Sequence, residues 1–225
     1  SPHVAVVLNV TSEHMDYHAS VEEYRTAKMN IARFQKAEDF LVLNQDYGYV
    51  QEYSGSEFLA KKIFVSRELQ LPCAREEVGL LGKHHLENIA AAIAVAKIFD
   101  VSRDVMARVV REFKGLPHRL EFVDERAGVR FYNDSISTTP ETSIAGFTAF
   151  AHGKSAGPVF LLAGGSEKFS DYSEWGKAVN ADANVKKVFL VGPSGERMAR
   201  EISDGLRFEM VKNLKEGFEK AFREA

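Results

Sequence analysis

The chain has 225 residues, room for one to two domains of about 150 residues each, and 45% of them are hydrophobic, enough to bury a sizeable core. The formal net charge is −3 with both signs interspersed, so neither a nucleic-acid surface nor a membrane surface is indicated. The single cysteine, Cys73, excludes a disulfide framework and fits a reducing cytoplasm.

The opening Ser1-Pro2-His3-Val4 has no basic n-region or cleavage pattern, so no signal peptide is read there. The lack of an initiator Met suggests that the chain begins inside a longer protein. Val4 to Val10 is a continuous apolar run, the pattern of a buried parallel strand. A polar loop with His14, Asp16 and His18 follows. Ser20 with Glu23 three residues on makes a capping box, which predicts a helix from Val21 to about Gln35. Phe40 to Leu43 and Ile63 to Val65 read as strands. An Ala-rich helix is expected over His85 to Phe99, too short to span a bilayer and broken by Lys97. Ser102 caps a further helix that runs to Phe113.

Lys114-Gly115-Leu116-Pro117 then sets Gly after a helix end and Pro beyond it, a stop signal with hinge potential. Leu120 to Asp124 and Val129 to Asn133 are strands about a turn at Gly128. Thr139-Pro140 caps the next helix with Pro at its first position. Strands over Val159–Ala163, Val188–Val191 and Phe208–Val211 alternate with helices over Ser173–Ala181, Ser194–Ile202 and Leu214–Arg223. Such alternation predicts an α/β fold with a mostly parallel sheet covered on both faces.

Several residues in this frame could carry chemistry. On a helical wheel Val21, Tyr24, Ala27 and Ile31 share a face, and Lys28 lies among them. A lysine on a buried stripe must snorkel, pair with an anion, lose its proton or be modified. Snorkelling is the plainer reading; a functional lysine near the His14 loop is the sharper one. That loop offers oxygen ligands with an imidazole, a set that suits Mg²⁺ or Mn²⁺ better than a structural zinc site. His85 and Asn88 share a face at the first turn of their helix, where backbone N–H groups are free, although ordinary helix initiation also explains them. Arg119 follows a Pro-fixed junction and could clamp a phosphate or ribose. Asp134 ends a strand, where it could accept from ribose hydroxyls or serve as a turn residue. Gly164-Gly165 with Lys168 could admit an anion to the backbone, or could be a tight turn. Neither a GxGxxG fingerprint nor a GxxxxGK[ST] loop occurs in the 225 residues.

Taken in order, these segments resemble the Mur ligase family of ATP-dependent amide-bond ligases. Leu8 to Asp16 with Tyr24 to Lys28 resembles that family's metal loop and lysine helix. Gly82 to Asn88 is similar to its adenine segment. Leu116-Pro117-His118-Arg119-Leu120-Glu121 and Asn133-Asp134-Ser135 are similar to its domain-junction and nucleotide signatures. The Asn-Asp-Ser form and the block from Leu161 to Lys168 are nearest to the branch that adds D-glutamate. The resemblance implies the C-terminal half of a P-loop-type ATP-binding central domain over residues 1–115, then a Rossmann-like, slightly truncated amino-acid-binding domain over 116–225. It implies peptidoglycan precursor synthesis in the cytoplasm, joining D-glutamate to UDP-N-acetylmuramoyl-L-alanine through an acyl phosphate, with ATP and Mg²⁺.

By the same resemblance His14 is a magnesium ligand and Lys28 carries a carbamate that shares the metal. Asn88 and His85 face adenine, Arg119 the phosphates and Asp134 the ribose. Thr138, Lys168 and Ser135 face the incoming D-glutamate. His85 stands where the pattern has Asn, and Ile136 where a Lys is common, which loosens the assignment of the amino acid. The P-loop is expected upstream of residue 1, so the chain alone is not expected to turn over, and a hydrophobic sheet edge near Val4 to Val10 is expected to be disordered, self-paired or completed by a partner fragment. Another Mur ligase, a folylpolyglutamate synthase-like ligase and a non-catalytic nucleotide-binding module of the same fold are the competing readings.

Overall fold

The computed structural model describes residues 1–10, 18–55, 57–151, 155–167, 170–203 and 207–225. The chain divides into two compact units, Ser1–Phe113 and Lys114–Ala225.

In the first unit, β1 (Val4–Val7), β2 (Phe40–Asn44) and β3 (Lys61–Val65) form a parallel sheet in the order β1-β2-β3. Strand side chains alternate between faces, and the pattern here is strict. Ala5, Val7, Leu41 and Leu43 pack with Tyr24 and Ala32 of α1 (Val21–Arg33) and with Tyr53 and Phe58. Val42 and Val65, with Val4 and Val6, instead meet Ala90, Ala91 and Ala94 of α2 (Lys83–Ile98). The small alanines let that helix lie close on the sheet. α3 (Arg103–Glu112) contributes Met106 to a core shared with Ile89 and Ile93. The Ser caps form, Ser20 accepting from the Glu23 amide at 3.1 Å and Ser102 from that of Val105 at 3.4 Å, but the Glu23 carboxylate accepts from the Ala19 amide at 2.8 Å rather than closing a box on Ser20. The first strand is shorter than expected, ending at Val7. It is ordered and paired with β2, and its other edge has no strand partner among the described residues. Two 3-10 turns, Gly48–Ser54 and Arg75–Glu77, have no counterpart in the apolar periodicity.

The second unit opens with an antiparallel hairpin of β4 (Glu121–Arg126) and β5 (Val129–Asn133). Ala127 (φ 52°) and Gly128 (φ 82°) make its two-residue turn, the left-handed pair that matches strand twist. Then α4 (Pro140–Thr148), β6 (Val159–Gly164), α5 (Ser173–Ala181), β7 (Val185–Val191), α6 (Gly192–Ala199), β8 (Phe208–Val211) and α7 (Leu214–Glu224) alternate. The three later strands form a parallel sheet in the order β6-β7-β8. Trp175 is fully buried among Phe147, Val179, Val188 and Leu190, and its indole N–H donates to the Ser143 hydroxyl at 3.1 Å. Among the described residues no helix is long and apolar enough to cross a membrane.

Candidate functional site

In the second unit the segment leading into β4 folds back on the segment leaving β5. Gly115 (φ 95°), His118 (φ 65°) and Leu120 (φ 43°) all lie in the left-handed region. For His118 and Leu120 that conformation is costly and must be held by surrounding bonds. The bonds are there. The Glu121 carboxylate accepts from the His118 amide at 2.7 Å, and the His118 carbonyl accepts from the Ile136 amide at 3.1 Å. Asp134 accepts from the Leu120 amide at 2.9 Å through one carboxylate oxygen and from the Ser137 hydroxyl at 2.6 Å through the other. A methyl group added at Gly146 of α4 would lie 2.5 Å from Asp134 Oδ2, so this carboxylate occupies the space a side chain there would need.

The bonded segments therefore carry four of the predicted residues, Arg119 beside Leu120 on one and Asp134, Ser135 and Thr138 on the other. Arg119 is half-buried, and its guanidinium has no hydrogen-bond or ion-pair partner among the described residues. Ser135 and Thr138 are exposed; the Ser135 amide donates to the Asn133 side chain at 3.1 Å. Thr139 caps α4 by accepting from the Thr142 amide at 3.4 Å, with Pro140 following. Asp134 is first a brace for the strained turn. Each of its oxygens keeps a second lone pair for a further donor. Ile136 is exposed, an alkyl group in the middle of this polar loop.

In the first unit, α2 begins at Gly82 (φ 87°), a backbone geometry that favours glycine. His85 is buried, with Nδ1–H donating back to the Leu81 carbonyl and its ring beside that of His84. Asn88 is half-buried, one turn on, and its amide has no partner among the described residues. Between them in sequence is a residue the motif reading passed over. Glu87 is buried, and its carboxylate accepts from Asn44 Nδ2 at 3.1 Å and from the Tyr47 hydroxyl at 3.1 Å and pairs with Arg67 at 3.0 Å. Arg67 also bonds Asp46 at 3.2 Å. Burial, and then the facing Glu87 charge, push the Tyr47 hydroxyl up from its ordinary range. This network ties the carboxyl ends of β2 and β3 to the first turns of α2. A carboxylate one residue from Asn88, just ahead of the apolar run Ile89 to Ala96, is the signal for it.

Lys28 requires a correction. Ala27 and Ile31, expected on a buried stripe with it, are exposed, and α1 instead buries Tyr24 and Ala32. Lys28 lies between those two at helical spacing yet is itself exposed, its ammonium 5.1 Å from the Tyr24 ring centroid. The premise of a buried cation fails, because the ammonium stays in water while its stem runs along the ring. His14 and Lys168 lie outside the described residues. Among the described residues no group of three or more His, Cys, Asp or Glu could hold a metal. The described side chains thus do not supply a magnesium site by themselves.

The loop after β6 is also fastened. Gly165 N–H donates to the Val191 carbonyl at 2.8 Å, and the Gly165 carbonyl accepts from the Ser194 hydroxyl at 3.1 Å. From the same helix, Arg197 bonds the Glu167 carboxylate and the Ser170 carbonyl, both at 2.8 Å. These partners are about thirty positions apart in sequence, so no local motif announces them.

Comparison with known proteins gives a consistent picture. Residues 1–67 match the family model described as Mur ligase middle domain, and residues 118–225 match that described as Mur ligase, glutamate ligase domain. The UDP-N-acetylmuramoylalanine–D-glutamate ligase of Acetivibrio thermocellus is 37% identical over 224 residues, covering 91% of this chain and 46% of that protein. That of Alkaliphilus oremlandii is 34% identical over 246 residues, covering 98% and 52% respectively. The chain therefore spans about half the length of the curated relatives it matches. Among solved structures, MurF from Acinetobacter baumannii superposes with a TM-score of 0.80 at 17% identity, over 99% of this chain and 53% of that one, a likeness of fold.

Proposed function

We propose a function from the premise that the chain belongs to the Mur ligase family: it is the nucleotide- and amino-acid-handling part of an ATP-dependent ligase that joins D-glutamate to UDP-N-acetylmuramoyl-L-alanine. The observation that carries this reading is the turn braced by Asp134, which bears Arg119 with its guanidinium uncommitted among the described residues. The substrates are those for which the relatives are named.

In this reading ATP supplies the phosphoryl group that turns the substrate carboxylate into an acyl phosphate. The chain's own residues bind and orient. Arg119 offers a fork of N–H donors suited to phosphate oxygens, and its position on a strained, bonded turn limits the entropy lost on engagement. Asp134 offers its remaining lone pairs to ribose hydroxyls. Asn88, with the N–H donors and the carbonyl of its side-chain amide uncommitted among the described residues, is the adenine contact, and His85 supports the turn before it. Thr138, Ser135 and Lys168 belong to the incoming D-glutamate. Peptidoglycan precursor synthesis makes the cytoplasm the compartment of this reading, and pairing of two copies along the open edge of β1 is part of it.

Magnesium enters the reading through His14 and a Lys28 carbamate, and no step is derived through it from the described residues. Burial gives no drive towards the carbamate at an exposed Lys28, so the modification is expected only where a divalent cation shares it. Carbon-13 NMR under labelled CO₂ checks this: a carbamate signal is expected with Mg²⁺ and none without it, and a signal of equal size in both would contradict it.

The nucleotide part is tested by titrating ATP into the isotopically labelled chain. Chemical-shift changes are expected at the Arg119 Nε and the Asn88 side-chain amide. Changes confined to other residues would overturn the assignment.

A further inference from the structure

We propose that Arg197 is the positioning residue of the loop after β6, holding it in the form that receives the α-amino dicarboxylate. The proposal deepens the reading above and rests on it for the identity of that ligand. The loop leaves the carboxyl end of a strand in a parallel sheet, where ligands of open α/β folds bind. Its start is committed by backbone alone: Gly164 (φ 114°) and Gly165 (φ 139°) adopt conformations open to glycine, and a Cβ on Gly164 would lie 2.1 Å from the Val191 carbonyl oxygen. Ser194 at the head of α6 then holds the Gly165 carbonyl.

One turn along the same helix, Arg197 takes two points of the loop at once. One guanidinium nitrogen donates to the Glu167 carboxylate at 2.8 Å and another to the Ser170 carbonyl at 2.8 Å. The plane lies over the Tyr172 ring, 5.3 Å from its centroid. A planar fork with fixed donor directions sets the distance between two acceptors in a way a lysine ammonium does not. Tyr172, beneath the guanidinium, and Met198, next to Arg197, pack with the unit's core of Trp175, Val179, Val188 and Leu190, while the partly exposed ion pair itself adds little to global stability. Arg197 therefore ties the loop to the edge of that core, and its effect is read at the loop with β6 and β7 as the control.

The test uses the 225-residue chain with Arg197→Gln and Arg197→Lys. Without ligand, backbone order parameters at Ser166, Glu167 and Ser170 are expected near about 0.85 in the native chain and below about 0.6 in Arg197→Gln, with β6 and β7 unchanged. With D-glutamate as the probe, the dissociation constant is expected to rise at least about fivefold in Arg197→Gln and at least about threefold in Arg197→Lys. A loop equally ordered in native chain and variant, or equal D-glutamate affinity, overturns the proposal. Native-like affinity in Arg197→Lys overturns the two-point grip. Should the native chain ignore D-glutamate while the loop still loosens in Arg197→Gln, the amino-acid reading falls and the grip alone survives.

Discussion

Asp134 illustrates how a single carboxylate can be read correctly in position and incompletely in role. From sequence it was either a ribose acceptor or a turn residue. In the fold it accepts from the Leu120 amide and the Ser137 hydroxyl, so it holds the turn that carries Arg119. Asp134→Ala leaves two part-buried donors without partners and is expected to destabilise the second unit by about 1 kcal/mol in urea unfolding. A variant of native stability would remove the bracing role. The turns that carry Arg119, Ser135 and Thr138 are legible because they lie within a few residues of a Pro junction or a helix cap. At Lys28 the plainer reading, snorkelling, matches the exposed ammonium, and what fails is the buried stripe, because periodicity identifies a helix face but not how much of that face is covered. The neighbouring positions that fixed the stripe, Ala27 and Ile31, turned out to face water.

The helices and strands were legible wherever a local physical signal exists, in the Ser20, Ser102 and Thr139 caps, the Ala-rich stripe of α2 and the turn at Gly128. The 3-10 turns lack any such signal, and the contacts of Glu87 and Arg197 arise only when distant elements meet. The same holds for the charge ladder across β7, β8 and α7. Lys187 pairs with Glu209 and Glu224, and Lys220 pairs with Glu209 and Glu216. Hydrogen bonds from Lys187 and Lys220 lower the Glu209 carboxyl from 4.5 to about 2. A depressed carboxyl stabilises the fold above its unfolded value and loses that contribution as pH falls towards the folded one. Thermal stability is thus expected to drop as pH falls from about 4.5 towards about 2, and Glu209→Gln is expected to flatten that part of the profile. The carboxylate is partly exposed, so the effect is a modest one, screened by salt. An unchanged slope in the variant would assign the acid sensitivity to other groups.

At the scale of the whole molecule, each unit has a hydrophobic core of its own and a parallel sheet of its own. Residues 114–225 are accordingly expected to fold without the first unit. Near-UV circular dichroism of that segment, dominated by the buried Trp175, checks this: a native-like signal is expected, and its loss would make the first unit necessary for packing. The α/β class was legible from strand and helix alternation, and the family from the order of its motifs. The chain matches 46% of the Acetivibrio thermocellus ligase and leaves the remainder unmatched. Fusing the chain to that part of the Acetivibrio thermocellus ligase, and measuring ADP release with UDP-N-acetylmuramoyl-L-alanine and a panel of D- and L-amino acids, tests the central claim most directly. ADP release driven by D-glutamate above all others, and reduced at least about a hundredfold by Arg119→Ala as for loss of a charge-stabilising donor, is the predicted result. Release driven by another amino acid, or untouched by Arg119→Ala, would contradict it.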